Sequence, residues 1–407
     1  MSQRTDYLII GSGVAGYHAL LELLSLEPNS TVTMISSDPN YPYDRPPLSK
    51  EYMRGERRRE EVFFKPQDFY SKPNLKVLLK RRVQRIRGRE AILDDGSSLT
   101  FRKALMATGG SPRKLNLPGE GKEGVHYLRT LDDADSIKAE KGRNPIIVGA
   151  GFIGMEVAAS LTSRGLKPTV IEVKPYIWST FVDENAAKFL QSYFESRGVK
   201  FVVGESVREF LGDGRVKGAI TTGGKRIEAD FALIAVGITP NVELAKESGI
   251  QVENGVIADQ QLRTSNPDIY AAGDVANIYD PSLGKRRRIE HWNNAEYTGR
   301  LAARNMVGKG EVYDFLSTVW SDIFDLHVES AGETVGYDDH VVRGRMEGKS
   351  FNLIYLKGGL IHGYLAVNRD YGRELKPLNQ LIKGRVSVEG KRRELEDEGS
   401  DLKALLR

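Results

Sequence analysis

At 407 residues, with 40% hydrophobic and 28% charged side chains, the chain is too long for one hydrophobic core and too apolar for a disordered one, so two or three folded domains are expected. It contains no cysteine, which removes structural disulfides, thiolate metal sites, cysteine-bound iron–sulfur clusters and every cysteine nucleophile. Net charge is only +4, and the apolar run at 8–26 is broken by three glycines, His18 and Glu22 and has no basic leader or cleavage site, so neither a membrane span nor a signal is expected.

The chain opens on a buried-strand pattern, Tyr7-Leu8-Ile9-Ile10, followed by Gly11-Ser12-Gly13-Val14-Ala15-Gly16, an apolar-periodic helix to about Leu26 and a second strand at 31–35. In such a strand–turn–helix the first glycine makes the tight turn and the second admits a pyrophosphate to the backbone. The third lets helix and strand pack closely. The corresponding ribose-contacting position is read as Ser37, with Asp38 beside it, so the usual carboxylate is only loosely matched. Basic runs follow at Arg57-Arg58-Arg59 and Lys80-Arg81-Arg82, and Asp95-Gly96 marks a hairpin.

The stretch 112–124, rich in Pro and Gly, reads as a linker. After it the fingerprint recurs: Ile146-Ile147-Val148, then Gly149-Ala150-Gly151-Phe152-Ile153-Gly154, a helix, and Thr169-Val170-Ile171 ending in Glu172. Two fingerprints imply two dinucleotides, one held tightly as a flavin and one exchanging as a nicotinamide, since hydride transfer needs both rings in one crevice. A carboxylate at Glu172 accepts from a ribose 2′-hydroxyl and repels a 2′-phosphate, which favours NADH over NADPH, although Lys174 lies two residues on. Thr222-Gly223-Gly224 reads as a further hairpin. Two more basic runs, Lys285-Arg286-Arg287-Arg288 and Lys391-Arg392-Arg393, serve either as solvated faces or as a docking surface for an acidic partner; without interleaved aromatics or a recognition motif, nucleic acid is not expected.

The run Pro42-Tyr43-Asp44-Arg45-Pro46-Pro47-Leu48-Ser49-Lys50 resembles the family of FAD-dependent oxygenase-coupled ferredoxin reductases, putidaredoxin and rubredoxin reductases, and the oxidoreductase core of apoptosis-inducing factor. The likeness continues through Ala107-Thr108-Gly109, Leu128-Arg129-Thr130, Gly237-Ile238-Thr239-Pro240-Asn241, Tyr270-Ala271-Ala272-Gly273-Asp274, Glu290-His291-Trp292 and Trp320-Ser321-Asp322. His291 matches the apoptosis-inducing branch, while Asp44 and the compact C-terminus match the bacterial reductases. The resemblance implies an α/β fold with two doubly wound dinucleotide-binding domains, like glutathione reductase, plus a C-terminal α+β domain. The FAD domain would be 1–111 with 238–313, the NADH domain 112–237 and the C-terminal domain 314–407.

By the same resemblance the FAD contacts are Gly11, Gly13, Val14, Ala15, Gly16, Ser37, Asp38, Arg45, Lys50, Val83, Thr108, Gly109, Arg129, Asp274, His291, Trp292 and Trp320. Those for NADH are Gly149, Gly151, Phe152, Ile153, Gly154, Glu156, Glu172, Gly237 and Glu290. Asp274 resembles the residue that binds the ribityl chain, or is a plain helix cap. Arg45 and Arg129 resemble anchors of the phosphates or ring. Trp292 and Trp320 resemble aromatics near the isoalloxazine, or are core residues. Lys50 would stabilise negative charge on the reduced ring while Glu156 holds its ammonium; the plainer role for Glu156 is a favourable charge at a helix start.

The missing cysteines discriminate within the fold. Disulfide reductases need a cysteine pair beside the flavin, and peroxidases, four-electron NADH oxidases and coenzyme A disulfide reductases need one. What remains is hydride in from NADH and electrons out to an external acceptor, a small acidic protein of the ferredoxin or rubredoxin type. The alternatives are an NADH diaphorase or peroxide-forming oxidase, with quinone or oxygen as acceptor, and an NADH-sensing redox protein. A cytoplasmic monomer or homodimer is expected, with no metal of its own.

Overall fold

The computed structural model describes residues 3–406, and its chain divides into two compact units. The first comprises residues 1–44, 60–111 and 239–319, the second 45–59, 112–238 and 320–407. Among the described residues no helix is long and apolar enough to cross a membrane.

The first unit is built on β1 (Gln3–Ile10), α1 (Val14–Leu26), β2 (Val32–Ile35) and β3 (Ser98–Met106). Tyr7 to Ile10 are buried without alternation, as a parallel strand covered on both faces requires. β1 lies parallel between β2 and β3, with Ile10 opposite Ile35 and Leu8 opposite Ala104. The sheet runs Leu75–Leu78, β2, β1, β3, Glu90–Leu93, Val83–Arg87, and Ile269–Ala271 also pairs with β3. β3 changes character along its length. Leu99 and Phe101 alternate inward where it pairs antiparallel with Glu90–Leu93 across the Asp95-Gly96 turn, and Ala104, Leu105 and Met106 are all buried where it enters the parallel core. The Trp292–Met306 helix packs along α1.

The second unit holds two four-residue helices, Pro46–Ser49 and Glu51–Arg54, with Lys50 between them. Its second strand–turn–helix is β4 (Pro145–Val148), α2 (Phe152–Ser163) and β5 (Thr169–Glu172). The parallel sheet here runs Lys200–Val203, β5, β4, Phe231–Ile234, Val125–Tyr127. A three-stranded antiparallel sheet beside it in the chain contains the Thr222-Gly223-Gly224 turn. The C-terminal sheet is antiparallel, in the order β6 (Thr318–Ile323), Leu326–Gly332, Leu360–Val367, Ser350–Lys357, Asp339–Arg345. The Lys376–Lys383 helix covers it with Leu378, Leu381 and Ile382, giving the α+β layer.

Candidate functional site

Each fingerprint sits where a buried parallel strand ends and a helix begins. Gly11 and Gly149 turn the chain at φ +113° and +103°, and a Cβ there would meet the carbonyl oxygens of Ala107 and Ala235 at 2.1 and 2.4 Å. Gly13 and Gly151 are the N-caps of α1 and α2 and supply no capping side chain. The first backbone N–H groups of both helices therefore have no intrahelical acceptor and, with the helix dipole, favour an anion. A Cβ on Gly151 would meet no atom within 4 Å. The residues present fit a dinucleotide at each turn.

The loop of the second fingerprint is braced on both sides. Ala150 N–H donates to Glu172 Oε2 at 2.6 Å, and the Ala150 carbonyl accepts from Trp178 N–H at 3.1 Å. Glu172 Oε1 accepts from Lys174 N–H at 2.9 Å. Trp178 is buried, lies at φ +51°, and its ring is tilted against Phe152 at 5.2 Å; Phe181 meets Phe152 edge-on at 4.4 Å. Ile153 is exposed beside them.

The position of the first fingerprint that corresponds to Glu172 differs by one residue from the sequence reading. Gly11 N–H bonds to the Ile35 carbonyl as Gly149 N–H bonds to that of Ile171, so Ser36, not Ser37, occupies the place of Glu172. The first copy is two residues longer between its third glycine and this position, and counting along the sequence missed the register. Ser36 Oγ lies 2.6 Å from Ser12 Oγ, as Glu172 reaches Ala150. Ser37 is exposed, and Asp38 is occupied by the Tyr43 hydroxyl at 2.7 Å and by Asn40 N–H at 2.9 Å.

Around the rest of the first unit, Asn241 clamps the Ala107-Thr108-Gly109 turn. Its N–H donates to Gly109 O at 2.9 Å, its Nδ2 to Thr108 O at 2.9 Å, and its carbonyl accepts from Thr108 Oγ1 at 2.8 Å. Val83 is buried at the start of its strand. Asp274 lies inside the short Gly273–Val275 helical turn, for which Ala272 is the N-cap, so capping is not its task. Trp292 opens its helix and donates Nε1–H to Asp44 Oδ1 at 2.8 Å. His291 is the N-cap, with Nδ1 2.8 Å from Ser317 Oγ. Because the Ser317 hydrogen goes to Asn293 Oδ1 at 2.8 Å, His291 donates from Nδ1 and keeps Nε2 as an acceptor. Burial, aided by the Arg287 charge and opposed by Asp274, lowers its pKa to about 4, so the ring is neutral near pH 7.

In the Arg286-Arg287-Arg288 run every guanidinium has a partner within the protein, although Arg286 is exposed. The run forms the Lys285–Arg288 strand, where Arg286 donates to the Ala258 and Asn277 carbonyls, Arg287 to the fully buried Asp280 at 2.8 Å, and Arg288 to Asp274 O and Glu290. Lys80 and Arg82 are exposed.

In the second unit Lys50 and Glu156 meet. Lys50 Nζ lies 3.4 Å from Glu156 Oε1, with side chains 7% and 6% exposed. Glu156 is the fifth residue of α2, a turn further in than a charge at the helix start would lie. Its carboxylate also accepts from the hydroxyls of Ser49 and Ser321, the latter at 2.6 Å. Arg129 lies one residue before Thr130, whose capping box with Asp133 starts the Leu131–Lys138 helix. Arg45 and Trp320 are in this unit, as is Gly237 at φ +92°. The expected FAD contacts are thus divided, with Arg45, Lys50, Arg129 and Trp320 in the second unit and the others in the first; Glu290 alone of the expected NADH contacts is in the first. Ser36 and Trp178 lie outside every motif read from the sequence, while Ser49, Asn241 and Ser321 lie within such motifs but were given no contact of their own.

Known families and relatives match the chain over most of its length. The pyridine nucleotide-disulphide oxidoreductase family matches residues 5–299 and a reductase C-terminal domain matches 318–406. Rhodocoxin reductase of Rhodococcus erythropolis is 32% identical over 89% of this chain and 86% of its own. Rubredoxin-NAD(+) reductase of Pseudomonas putida is 31% identical over 82% and 88%. The crystal structure of the covalent putidaredoxin reductase–putidaredoxin complex superimposes with a TM-score of 0.93 at 28% identity, covering 99% of this chain and 98% of that one. Two glycine turns on parallel sheets, a buried Lys50–Glu156 pair and matches along nearly the whole length converge: the chain belongs to the pyridine nucleotide-disulphide oxidoreductase family, as a member without a single cysteine.

Proposed function

We propose that this protein is an FAD-dependent NADH reductase that delivers electrons singly to a small iron–sulfur protein of the ferredoxin or rubredoxin type. The observation that carries the reading is the pair of uncapped fingerprint helices in a chain with no cysteine to take electrons onward. Bound FAD supplies what no side chain here can, acceptance of an electron pair as hydride and release of electrons one at a time. The first fingerprint, Ser36, Thr108, Asp274, Arg45, Arg129, Trp292 and Trp320 are assigned to FAD. The second fingerprint, Phe152, Ile153, Glu172, Gly237 and Glu290 are assigned to NADH. Lys50 offers a positive charge where the reduced ring gains a negative one, and Glu156 holds it.

The three-domain division at 1–111 with 238–313, 112–237 and 314–407 is retained for this reading, as are a cytoplasmic site of action beside the NADH pool and a monomer or homodimer. The test is turnover. NADH with micromolar ferredoxin or rubredoxin should give many reductions per second, and oxygen alone should give slow, stoichiometric peroxide, since no sulfenate is available to reduce peroxide further. Fast reduction of quinones with none of any iron–sulfur protein would favour a diaphorase, and a single slow reduction to a stable coloured complex would favour an NADH sensor.

A further inference from the structure

We propose that Ser321, on β6, is a positioning residue that fixes the Glu156 carboxylate so that Lys50 is held in register for flavin reduction. The proposal rests on the redox role assigned to Lys50. A carboxylate as buried as Glu156 must be met by donors, because its hydration has been stripped away. Three groups meet it: the Ser49 hydroxyl on Oε2, and both Lys50 Nζ and Ser321 Oγ on Oε1.

Their distances are unequal in an informative way. Lys50 Nζ is 3.4 Å away, longer than the ~2.7–2.9 Å of a close charge-assisted N–H bond, while Ser321 Oγ is at 2.6 Å, within the ~2.5–2.7 Å of an O–H bond to a carboxylate. The tight grip on Oε1 is therefore the serine's, and the lysine leans on an oxygen whose position is already set. Ser321 is fully buried and has no water to fall back on.

The remaining contacts make the clamp rigid. Ser160, one turn after Glu156 on α2, donates to the Ser49 carbonyl at 2.7 Å, so one helix face holds residue 49 by both side chain and backbone. Asp322, next to Ser321, is paired with His327 Nδ1 at 2.7 Å across the turn that follows β6. A serine needing only a partner for its own hydroxyl has backbone carbonyls to choose from. Ser321 donates to the carboxylate oxygen that Lys50 also meets.

The experiment uses the FAD-bound wild type and the Ser321→Ala, Ser321→Thr, Glu156→Gln and combined Ser321→Ala/Glu156→Gln variants. Flavin bleaching by NADH is followed by stopped flow near 450 nm, roughly where oxidised flavins absorb, alongside melting temperature. Ser321→Ala should slow the limiting bleaching rate by roughly 3- to 10-fold, the equivalent of one lost hydrogen bond, with half-saturation by NADH changed less than about twofold. Ser321→Thr should restore it. In the Glu156→Gln background the alanine should cost little further, in rate or in melting temperature. An unchanged rate, or the same slowing with and without Glu156, overturns the proposal. A melting effect alone also overturns it, by leaving Ser321 a structural residue. If the alanine variant loses its flavin, Ser321→Cys, similar in size and a poor donor, takes its place with the same outcomes. A wild type that NADH fails to bleach would instead overturn the redox reading itself.

Discussion

The carboxylate of Glu172 accepts a hydrogen bond from the backbone N–H of Ala150 at 2.6 Å, so the acidic residue ending β5 is tied to the glycine loop of the second fingerprint. It braces the turn, and in the proposed NADH site it would also present negative charge to the ribose. A 2′-phosphate there would meet repulsion, and NADH should exceed NADPH in kcat/KM by roughly tenfold or more. Glu172→Gln keeps an oxygen for Ala150 but no charge, so it should narrow the preference while leaving the NADH rate nearly intact. Glu172→Ala should narrow it and also raise KM for NADH. Steady-state kinetics with both coenzymes decides it, and an unchanged ratio in both variants would remove Glu172 from coenzyme choice.

For Lys50 two effects should separate. Lys50→Ala leaves Glu156 without its cation, and breaking a buried pair by removing one partner typically costs about 3–5 kcal/mol; the two serine donors that stay should keep the loss at the low end. Lys50→Ala should thus fold with a lower melting temperature and reduce its flavin more slowly. Lys50→Arg keeps the charge and should recover stability more than rate, because the flat guanidinium cannot reproduce a compact ammonium. Stopped flow and calorimetry on the same preparations report both.

The Asp322–His327 pair predicts a pH dependence. Its hydrogen bond to Asp322, seconded by Glu329, raises the His327 pKa to about 9, from about 6.5 in an unfolded chain. A raised pKa means folding favours the protonated ring, so the stabilisation is complete below about pH 6.5 and is lost as pH rises through 9. The melting-temperature gap between wild type and His327→Gln should accordingly be flat near pH 6 and close between about pH 7 and 9.5. A gap that widens with pH would contradict the assignment.

Docking of an acidic partner should show in salt dependence. Steering by surface charge is screened over about 8 Å at physiological ionic strength, so the second-order rate with ferredoxin should fall steeply with salt while NADH reduction changes little. The exposed Lys80 and Arg82 are the positions to reverse in charge. Arg287→Glu is a different experiment. It sets a carboxylate against the buried Asp280 and should destabilise the fold by on the order of 3–5 kcal/mol, so loss of activity there would report folding. Rates at several salt concentrations, with melting curves for each variant, keep the two apart.

What could be read from the chain was what glycine and apolar runs dictate. Gly11 and Gly149 declare tight turns after buried strands, and the recurrence of the pattern announces two nucleotide units from the sequence alone. Ser36 was hidden because the position depends on where β2 pairs with β1, and a two-residue difference between copies defeats counting. The arginines at 286–288 looked like a free surface, since a run of like charge carries no sign of the strand pairing that directs each guanidinium to a carbonyl or carboxylate. Ser321 stood within the Trp320-Ser321-Asp322 motif, but its partner could not be read from it. It meets Glu156 only through folding of the distant C-terminal strand, and serine has no periodicity that marks it.

The three hydrogen bonds between Asn241 and the Thr108–Gly109 turn have a topological consequence. They cinch the start of the long excursion 112–238 out of the first unit to its end. Entropy of loop closure grows only with the logarithm of length, so once that neck is tied the size of the excursion hardly matters to the sheet behind it. A short flexible peptide spliced in place of 112–238 should leave β3 paired with β1. The first unit is, in effect, a host into which a whole nucleotide-binding module has been inserted at a sewn seam, and Asn241 is the stitch.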